Sequence, residues 1–280
     1  MAADPVRHRA AVLGSPVSHS LSPLLHTAGY AARGLSDWQY TYADVTEPDL
    51  VEFVAGLDQS WRGLSLTMPL KEVAFEVATT VTDLAARAGA INTLIRRPDG
   101  GWDADNTDVF GIVQSLRHLP VVEVGRGTEA VIIGAGATAR SAVLAVDQLG
   151  IRSVAVAARR PEAAEKLAAF AVEQGLAARA VDLEAWVDQS APLVLSTVPV
   201  GAGGYLAESA RAVHAQLDIV LFDVVYANWP SPLAAAVSAA GGETISGLEM
   251  LIHQAARQFE LFTGQSVDVA TMRAAAAERR

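Results

Sequence analysis

The sequence contains no cysteine. A disulfide framework, a cysteine-ligated iron–sulfur cluster and thiolate chemistry are therefore excluded. Long apolar runs are also missing: the best candidate, at 219–222, is bounded by Asp218 and Asp223 and falls far short of the roughly 18 residues of a membrane-spanning helix. The opening MAADPVRHRA lacks the apolar core of a signal peptide. We therefore expect a cytoplasmic protein without a membrane partner.

Positive charge is the second scarcity. Lys and Arg number 21 against 31 Asp and Glu, the formal charge is −10 and the isoelectric point is near 5.0. No nucleic-acid partner is expected, because phosphate binding requires a basic face. Lysine is the rarer cation: Lys71 and Lys166 are the two in the chain, and arginine takes all the other positions. The lysine in LTMPLKEVAF, at 66–75, therefore needs an explanation.

Short apolar strands alternate with segments of helical periodicity along the whole chain. With 280 residues, of which 51% are hydrophobic, the chain is long enough for two domains with ample cores. The alternation is typical of α/β folds with mainly parallel sheets. No cluster of His, Asp and Glu has convincing metal-ligand spacing, so no metal is expected.

Several elements can be placed by pattern. We predict strands at 11–13, 38–42, 63–66, 90–95, 102–104, 130–133 and 154–157. Predicted helices cover 23–33, 48–58, 109–116 and 140–149, with two short helices within 69–89 and a surface helix in the alanine-rich tail. A hairpin across Asp99, Gly100 and Gly101 joins two of the strands, and the polar EVGRGT at 123–128 leads into the strand at 130–133.

GAGATA, at 134–139, lies directly between a predicted strand and a predicted helix. This G-x-G-x-x-A spacing allows a tight turn and a close backbone approach, so that a pyrophosphate can bind at the helix N-terminus. An ordinary glycine-rich turn is the alternative, which the strand–turn–helix–strand context disfavours. We therefore predict a dinucleotide-binding domain.

The second strand of that domain ends in AARRP, at 157–161. NAD-binding proteins usually place an acidic residue there to bind the ribose hydroxyls. An acid would repel a 2′-phosphate, whereas arginine can bind it through two hydrogen bonds. Arg159 and Arg160 therefore favour NADP, with solvated arginines at a strand end as the alternative.

Serines crowd the segment GSPVSHSLSP, at 14–23. Ser22 before Pro23 is typical of a helix start, with the serine as N-cap. Hydroxyl groups at a helix N-terminus can also bind a carboxylate, but from the pattern alone capping is the preferred interpretation. Asn92 within an apolar strand, and DNTD at 105–108, are similarly open between a binding site and a solvated loop.

Seven short motifs resemble one enzyme family. They are SHSLSP at 18–23, LTMPLK at 66–71, AINT at 90–93, DNTD at 105–108, GAGATA at 134–139, DVVY at 223–226 and GLEMLIHQAA at 247–256. Each is weak alone, but their order and spacing are similar to those of the shikimate dehydrogenase family from residue 11 to about 264.

The resemblance implies an α/β substrate-binding domain at 1–107 plus 248–280, to which the C-terminal helices return, and a Rossmann NADP-binding domain at 108–247. It implies reversible, NADPH-dependent reduction of 3-dehydroshikimate to shikimate in aromatic amino-acid biosynthesis, by a monomer or homodimer. Lys71 and Asp108 match the catalytic pair. The implied substrate contacts are Ser20, Ser22, Thr67, Asn92, Asp108, Tyr226 and Gln254. The implied cofactor-binding positions are Gly134, Ala135, Gly136, Ala137, Thr138, Arg159, Arg160, Thr197, Val224, Gly247 and Met250.

The chain departs from the family pattern in two places. Where the family commonly has Asn-Arg-Thr after the second Rossmann strand, this chain has Ala158, Arg159 and Arg160, which removes an amide and adds a cation. A family stretch of the Asn-Ala-Thr-Ser type is LSTVP here, at 195–199, and its contacts stay open.

The chemistry implied by the resemblance explains a lysine at position 71. Reducing a ketone by hydride creates negative charge on its oxygen, and a reversible reaction needs a group that both donates and recovers the proton. A guanidinium, with a pKa above about 12, cannot do so, whereas lysines change protonation more readily. A lysine exposed at a helix start is the structural alternative.

Three other functions remain open. A quinate or quinate/shikimate dehydrogenase would accept NAD, which the two arginines disfavour. A non-catalytic, ligand-sensing relative would not need Lys71 and Asp108. A methylenetetrahydrofolate dehydrogenase would have no use for the serine motif.

Overall fold

The structure is a computed structural model that describes residues 5–120, 122, 129–189, 191–212 and 216–279. The segment at 123–128 lies outside these residues. The chain divides into two compact units, Met1–Phe110 with Leu251–Arg280, and Gly111–Met250.

The described part of the first unit contains a six-stranded sheet in the order β2-β1-β3-β5-β6-β4. Strands β1 and β2, β1 and β3, and β4 and β6 pair in parallel, and β5 is antiparallel to both of its neighbours. The strands are β1 (His8–Gly14), β2 (Trp38–Asp44), β3 (Trp61–Leu66), β4 (Thr80–Val81), β5 (Thr93–Arg96) and β6 (Trp102–Asp105). The pairing of β5 with β6 confirms the predicted hairpin.

Helices pack around this sheet because its central strands are apolar on both faces. In β1 the consecutive residues 10–13, which face alternate sides of the sheet, are all buried. Leu13 packs in one cluster with Leu64 and Leu66 of β3 and Leu94 of β5. The helices that begin in this part of the chain are α1 (Ser22–Arg33), α2 (Leu50–Ala55), α3 (Asp83–Ala88) and α4 (Thr107–Leu116).

Two predicted helical regions are wrong in detail. The region predicted as one helix at 48–58 is a 3₁₀ turn, Glu47–Asp49, followed by α2. The region at 69–89 contains a 3₁₀ turn, Val73–Glu76, and then strand β4 before α3. Strand β4 forms because β6 offers it a partner: the N–H of Thr79 donates to the carbonyl of Trp102 at 2.7 Å, and the pairing continues through Val81. This long-range pairing overrides local helix propensity.

The described part of the second unit contains a sheet of six parallel strands in the order β12-β11-β10-β7-β8-β9. The strands are β7 (Glu129–Ile133), β8 (Ser153–Ala157), β9 (Ala177–Val181), β10 (Leu193–Ser196), β11 (Val220–Asp223) and β12 (Glu243–Ser246). The connecting helices are α5 (Ala137–Gln148), α6 (Pro161–Glu173), α7 (Gly203–Ala212) and α8 (Pro232–Ala239). This is the doubly wound Rossmann order, with its switch point between β7 and β10.

Two further helices complete the described chain: α9 (Gly247–Thr263) and α10 (Val269–Ala277). In β7 all of residues 130–133 are buried, so the second sheet is covered on both faces. The structure thus confirms the predicted α/β class with two mainly parallel sheets.

Candidate active site

Lys71 and Asp108 form a partly buried ion pair in the first unit. Lys71 Nζ lies 2.5 Å from Asp108 Oδ2, and the two side chains are 15% and 6% exposed. Lys71 is in the turn after β3, where its carbonyl accepts from the N–H of Ile91 at 2.8 Å. The alternative of a solvated lysine at a helix start is therefore wrong.

Asp108 is available for this pair because another residue caps its helix. The side-chain oxygen of Asn106 accepts from the backbone N–H groups of Asp108, at 3.0 Å, and Val109, at 3.3 Å. Asn106 is thus the cap among the four cap-type residues of DNTD, and the Asp108 carboxylate is left to bind other groups.

Asn92 supplies the second partner of Asp108. Its Nδ2 donates to Asp108 Oδ1 at 2.8 Å, and its Oδ1 accepts from the Thr107 N–H at 2.8 Å and from the Thr93 hydroxyl at 2.7 Å. Gln254 Oε1 lies 3.5 Å from the same Nδ2. Asn92 lies just before β5, which begins at Thr93, and its buried amide is bonded at both ends. That explains an asparagine inside an apolar stretch.

A buried polar chain behind Asn92 was not found by sequence reasoning. The Tyr40 hydroxyl donates to Ser65 Oγ at 2.6 Å, Ser65 donates to Gln258 Oε1 at 2.6 Å, and Gln258 Nε2 donates to Thr93 Oγ1 at 2.9 Å. Two signals could have revealed it. Gln258 follows Gln254 by four residues and shares its helix face, and Ser65 is polar within an apolar strand.

The predicted N-cap role of Ser22 is wrong. Ser22 is the first helical residue, the cap position is Leu21, and no side chain at that position accepts a capping bond. Instead the Ser20 hydroxyl oxygen accepts from the Ser22 N–H at 3.2 Å. Pro23 is the second helical residue, so the helix starts one residue earlier than predicted.

The Ser20 and Ser22 hydroxyls lie together at this helix start. Ser20 Oγ donates to Ser22 Oγ at 3.2 Å, and Ser22 is buried. Burial raises the pKa of Tyr40, while hydrogen bonds with Ser65 and Ser22 oppose this effect. Thr67 is half-buried just beyond β3, and its N–H donates to the Leu13 carbonyl at 2.9 Å.

In the second unit the glycine-rich turn has two distinct glycines. Gly134 follows β7 with a φ of +110°, and a Cβ there would lie 2.3 Å from Thr197 Oγ1. Gly136 is the N-cap of α5 with a φ of −92°, and a Cβ there would meet nothing within 4 Å. The helix begins at Ala137, three residues before the predicted start, so Thr138 lies in its first turn. The open space over Gly136 fits an approaching pyrophosphate.

This turn lines a cleft of about 830 Å³ within the second unit. Arg159 and Arg160 line the same cleft, together with Pro199 and Tyr205. A smaller pocket of about 270 Å³ beside Ala135 is lined by three cationic side chains, those of Arg140, Arg160 and Lys166. Lys166 is exposed on α6, and it adds positive charge beside the arginines.

The other predicted cofactor positions lie around the ends of β10, β11 and β12. The Thr197 hydroxyl donates to the Ile133 carbonyl at 2.8 Å, which ties β10 to β7. A Cβ on Gly247 would lie 2.0 Å from the carbonyl oxygen of Val224, so a side chain at position 247 would displace this backbone. Met250 is buried.

Tyr226 follows β11 in a loop that a buried carboxylate anchors. Ser231 Oγ donates to Asp223 Oδ2 at 2.6 Å, and the Val225 N–H donates to Oδ1 at 3.3 Å. Burial raises the pKa of Asp223, and it also raises the pKa of the half-buried Tyr226.

The residues in the described ranges lack two kinds of feature. No helix in these ranges is long and apolar enough to cross a membrane. No group of three or more His, Cys, Asp and Glu side chains within them could hold a metal ion.

A doubly wound sheet with a glycine-rich turn at its switch point, together with an ammonium–carboxylate pair, is typical of two-domain dehydrogenases that use a dinucleotide. Residues 12–94 match the family model described as the shikimate dehydrogenase substrate binding domain. Residues 247–277 match the model of the shikimate 5′-dehydrogenase C-terminal domain.

Relatives and solved structures agree with these matches. The NADP(+) shikimate dehydrogenase of Methylobacterium radiotolerans is 38% identical over 259 residues, covering 91% of each chain. The crystal structure of Mycobacterium tuberculosis shikimate dehydrogenase is 38% identical, with a TM-score of 0.85 over 97% of this chain and 99% of that chain. Shikimate 5-dehydrogenase from Thermus thermophilus, in complex with NADP(H) and shikimate, is 31% identical, with a TM-score of 0.83 over 98% and 100%. The chain belongs to the shikimate dehydrogenase family.

Proposed function

We propose that this protein is a shikimate dehydrogenase that interconverts 3-dehydroshikimate and shikimate with NADPH and NADP. The observation that carries the proposal is the partly buried Lys71–Asp108 pair, 2.5 Å apart, in a chain of this family. An ammonium in this setting can donate and recover the proton that a reversible ketone reduction requires.

In the proposed mechanism Lys71 moves the proton. NADPH, when bound, supplies the hydride. As negative charge grows on the substrate oxygen, Lys71 donates a proton from Nζ, and in the reverse direction the neutral amine accepts the proton of the hydroxyl group. Asp108 holds Nζ in place, and Asn92 holds Asp108 through its second oxygen.

The remaining first-unit residues are assigned to substrate binding. Ser20 and Ser22 would bind the carboxylate, since their hydroxyls lie together at the start of α1. Thr67 and Asn92, together with Asp108, would bond the ring hydroxyls, and Gln254 would make a further substrate contact. In the second unit we assign Tyr226, the half-buried tyrosine that follows β11, to the substrate as a further contact.

The second unit is proposed as the NADP-binding domain and the first as the substrate-binding domain. The space over Gly136 and the cleft of about 830 Å³ fit a dinucleotide. Ala135, Ala137 and Thr138 complete the pyrophosphate turn. Gly247 and Met250 are assigned to the nicotinamide end, and Thr197 and Val224 to further contacts with the cofactor. A cytoplasmic location and a monomeric or homodimeric state stay predictions of the sequence.

NADP preference is assigned to the two exposed arginines after β8. Replacing both, Arg159→Ala with Arg160→Ala, should weaken NADP far more than NAD, because NADP alone carries the 2′-phosphate that a guanidinium can pair with. Fluorescence titration of both reduced cofactors measures this difference. An equal loss for the two would mean that the arginines support the loop without binding the phosphate.

Initial rates with shikimate and with quinate, each with NADP and with NAD, test the function. The highest kcat/KM should be obtained with shikimate and NADP. Comparable turnover of quinate with NAD would identify a quinate/shikimate dehydrogenase. If the protein bound shikimate but turned over neither substrate with either cofactor, it would be a ligand-sensing relative, which would contradict the proposal.

A further inference from the structure

Gln258 is a fully buried amide on α9 in the first unit, with none of its surface exposed. Its Oε1 accepts from the Ser65 hydroxyl at 2.6 Å. Its Nε2 donates to the backbone carbonyl of Asn92 at 3.1 Å and to Thr93 Oγ1 at 2.9 Å. A buried amide is costly unless it is hydrogen-bonded, and both ends of this one are.

These partners determine the direction of each hydrogen bond. The backbone carbonyl of Asn92 can only accept, so the amino end of Gln258 must face it. The second N–H of that amino group then points at Thr93 Oγ1, which therefore accepts. Thr93 has one hydroxyl proton. Of its two remaining partners, Asn92 Oδ1 at 2.7 Å is closer than Thr107 Oγ1 at 3.2 Å, so we direct the proton at Asn92.

The direction continues to the ion pair. Asn92 Oδ1 accepts from the Thr93 hydroxyl and from the Thr107 N–H, so its Nδ2 faces Asp108 Oδ1 at 2.8 Å. The other carboxylate oxygen of Asp108 then holds Lys71 Nζ at 2.5 Å. Every bond from Gln258 to Asp108 thus donates toward the carboxylate.

We propose that Gln258 is a positioning residue for the Lys71–Asp108 pair and acts through Thr93 and Asn92. It contributes by keeping the Thr93 proton directed at Asn92, which keeps the Asn92 amide aligned with Asp108. The inference rests on the proposed function, because the alignment matters when Lys71 transfers its proton.

The first test compares two variants of similar shape. Gln258→Met removes both donors, and Gln258→Glu has at most one proton to donate, so it cannot serve both the Asn92 carbonyl and Thr93. Each should lower kcat by about tenfold, as expected when one charge-assisted hydrogen bond is weakened. KM for shikimate should rise less than kcat falls, because Asn92 is also assigned to the substrate but its alignment acts mainly on the proton-transfer step.

The second test changes the intermediate residue. Thr93→Ser keeps the hydroxyl and should retain kcat within about twofold, whereas Thr93→Val removes it and should match the Gln258→Met loss. Combining Gln258→Met with Thr93→Val should lower kcat no further than either change alone, because both break the same chain. Additive losses would contradict action through Thr93.

Phe259→Leu is the matched control for stability. Phe259 is the next residue on α9, is fully buried and packs against Tyr30 and His26, outside the polar chain. It should lower the melting temperature without changing kcat. An equal loss of kcat in this control would show that the Gln258 effect is one of stability.

The outcomes separate this inference from the proposed function. A wild-type protein that does not oxidise shikimate with NADP would overturn both. An active wild type with near-normal kcat in Gln258→Met and Thr93→Val would overturn the positioning role alone. Where Gln258 variants do not fold, the Thr93→Ser and Thr93→Val pair decides.

Discussion

Lysine at position 71 differs from the arginines elsewhere in the chain in one property that the reaction needs. A lysine ammonium can release and recover a proton, and a guanidinium cannot. The turn after β3 and the carboxylate of Asp108 hold this ammonium in place. Position 71 therefore has a chemical reason to keep lysine.

Two substitutions at this position test that reason. Lys71→Ala should lower kcat by about 10²–10⁴-fold, the usual contribution of general acid–base catalysis, while shikimate binding stays within about tenfold. Lys71→Arg keeps the charge beside Asp108 but cannot give up a proton, so it should be almost as inactive. Stopped-flow turnover and calorimetric binding measure the two effects. Substantial activity in Lys71→Arg would show that charge alone is sufficient.

Ser20 should affect substrate binding more than turnover. Its hydroxyl would contact a carboxylate remote from the reacting carbon, so the contact is similar in the ground and transition states and is measured as KM. Ser20→Ala should raise KM for shikimate by about ten- to a hundredfold, from the loss of roughly 1.5–3 kcal/mol in a hydrogen bond to a charged group.

The Ser20→Ala measurement needs controls, because the Ser20 hydroxyl oxygen also accepts a hydrogen bond from the Ser22 N–H. A lower melting temperature is expected from losing that bond, so KM must be measured well below the transition. Ser18→Ala, an exposed serine of the same segment, should leave KM unchanged. An equal weakening of an analogue without the carboxylate would remove Ser20 from the carboxylate site.

At the scale of elements, several candidate site residues lie at the starts of helices. Helix α1 brings two hydroxyls together, α4 presents Asp108 to Lys71, and α5 follows a turn whose first glycine is required by conformation and whose second is open. The start of α4 and the turn before α5 each meet a side chain from a distant segment, Lys71 and Thr197 respectively. Gly134 and Gly136, in the turn before α5, allow the conformational requirement to be tested separately from the proposed pyrophosphate site.

Gly134→Ala and Gly136→Ala should have opposite consequences. Gly134→Ala places a side chain at a φ of +110° and against Thr197, so it should lower the melting temperature. Gly136→Ala meets nothing in the protein and should fold normally, yet its methyl group would occupy the space proposed for the pyrophosphate. Thermal unfolding and NADPH titration measure both variants. Normal NADPH affinity in Gly136→Ala would place the phosphates elsewhere.

At the scale of the whole molecule, the free energy of unfolding should depend on pH through a buried histidine. His26 on α1 is fully buried, with its ring stacked on Tyr40 at 4.0 Å between centroids. Burial lowers the pKa of His26 from 6.5 to about 3, against a smaller opposing effect from Gln258. The folded protein keeps His26 neutral while the unfolded chain binds a proton, so stability is full above pH 6.5 and is lost as the pH falls toward 3.

His26→Phe isolates this contribution. Between pH 6 and 4 the wild type should lose about 1.4 kcal/mol per pH unit more than the variant, the slope of one proton bound on unfolding. Phenylalanine can preserve the ring packing against Tyr40. Urea unfolding at several pH values measures the two slopes. Parallel curves would show that His26 is protonated in the folded state.

The sequence by itself determined what depends on neighbouring residues. The glycine-rich turn could be placed because strand β7, Gly134 and Gly136, and the following helix are contiguous, and the alternation of strands and helices set the α/β class. Lys71 was recognised through a motif rather than through its surroundings. Element boundaries were less well predicted from sequence. Ser22 was expected to cap α1, but it is the first helical residue, and its N–H donates to the Ser20 hydroxyl oxygen.

Only the tertiary structure decided the contacts that join distant segments. Lys71 meets Asp108 across 37 residues, β4 exists because β6 pairs with it, and Gln258 reaches Thr93 across 165 residues. The reason is physical: a side chain's hydrogen-bond partners depend on which strands and helices pack together. Local propensity and periodicity carry no information about that packing. The candidate site residues could therefore be named from sequence motifs, but the hydrogen bonds between them could not.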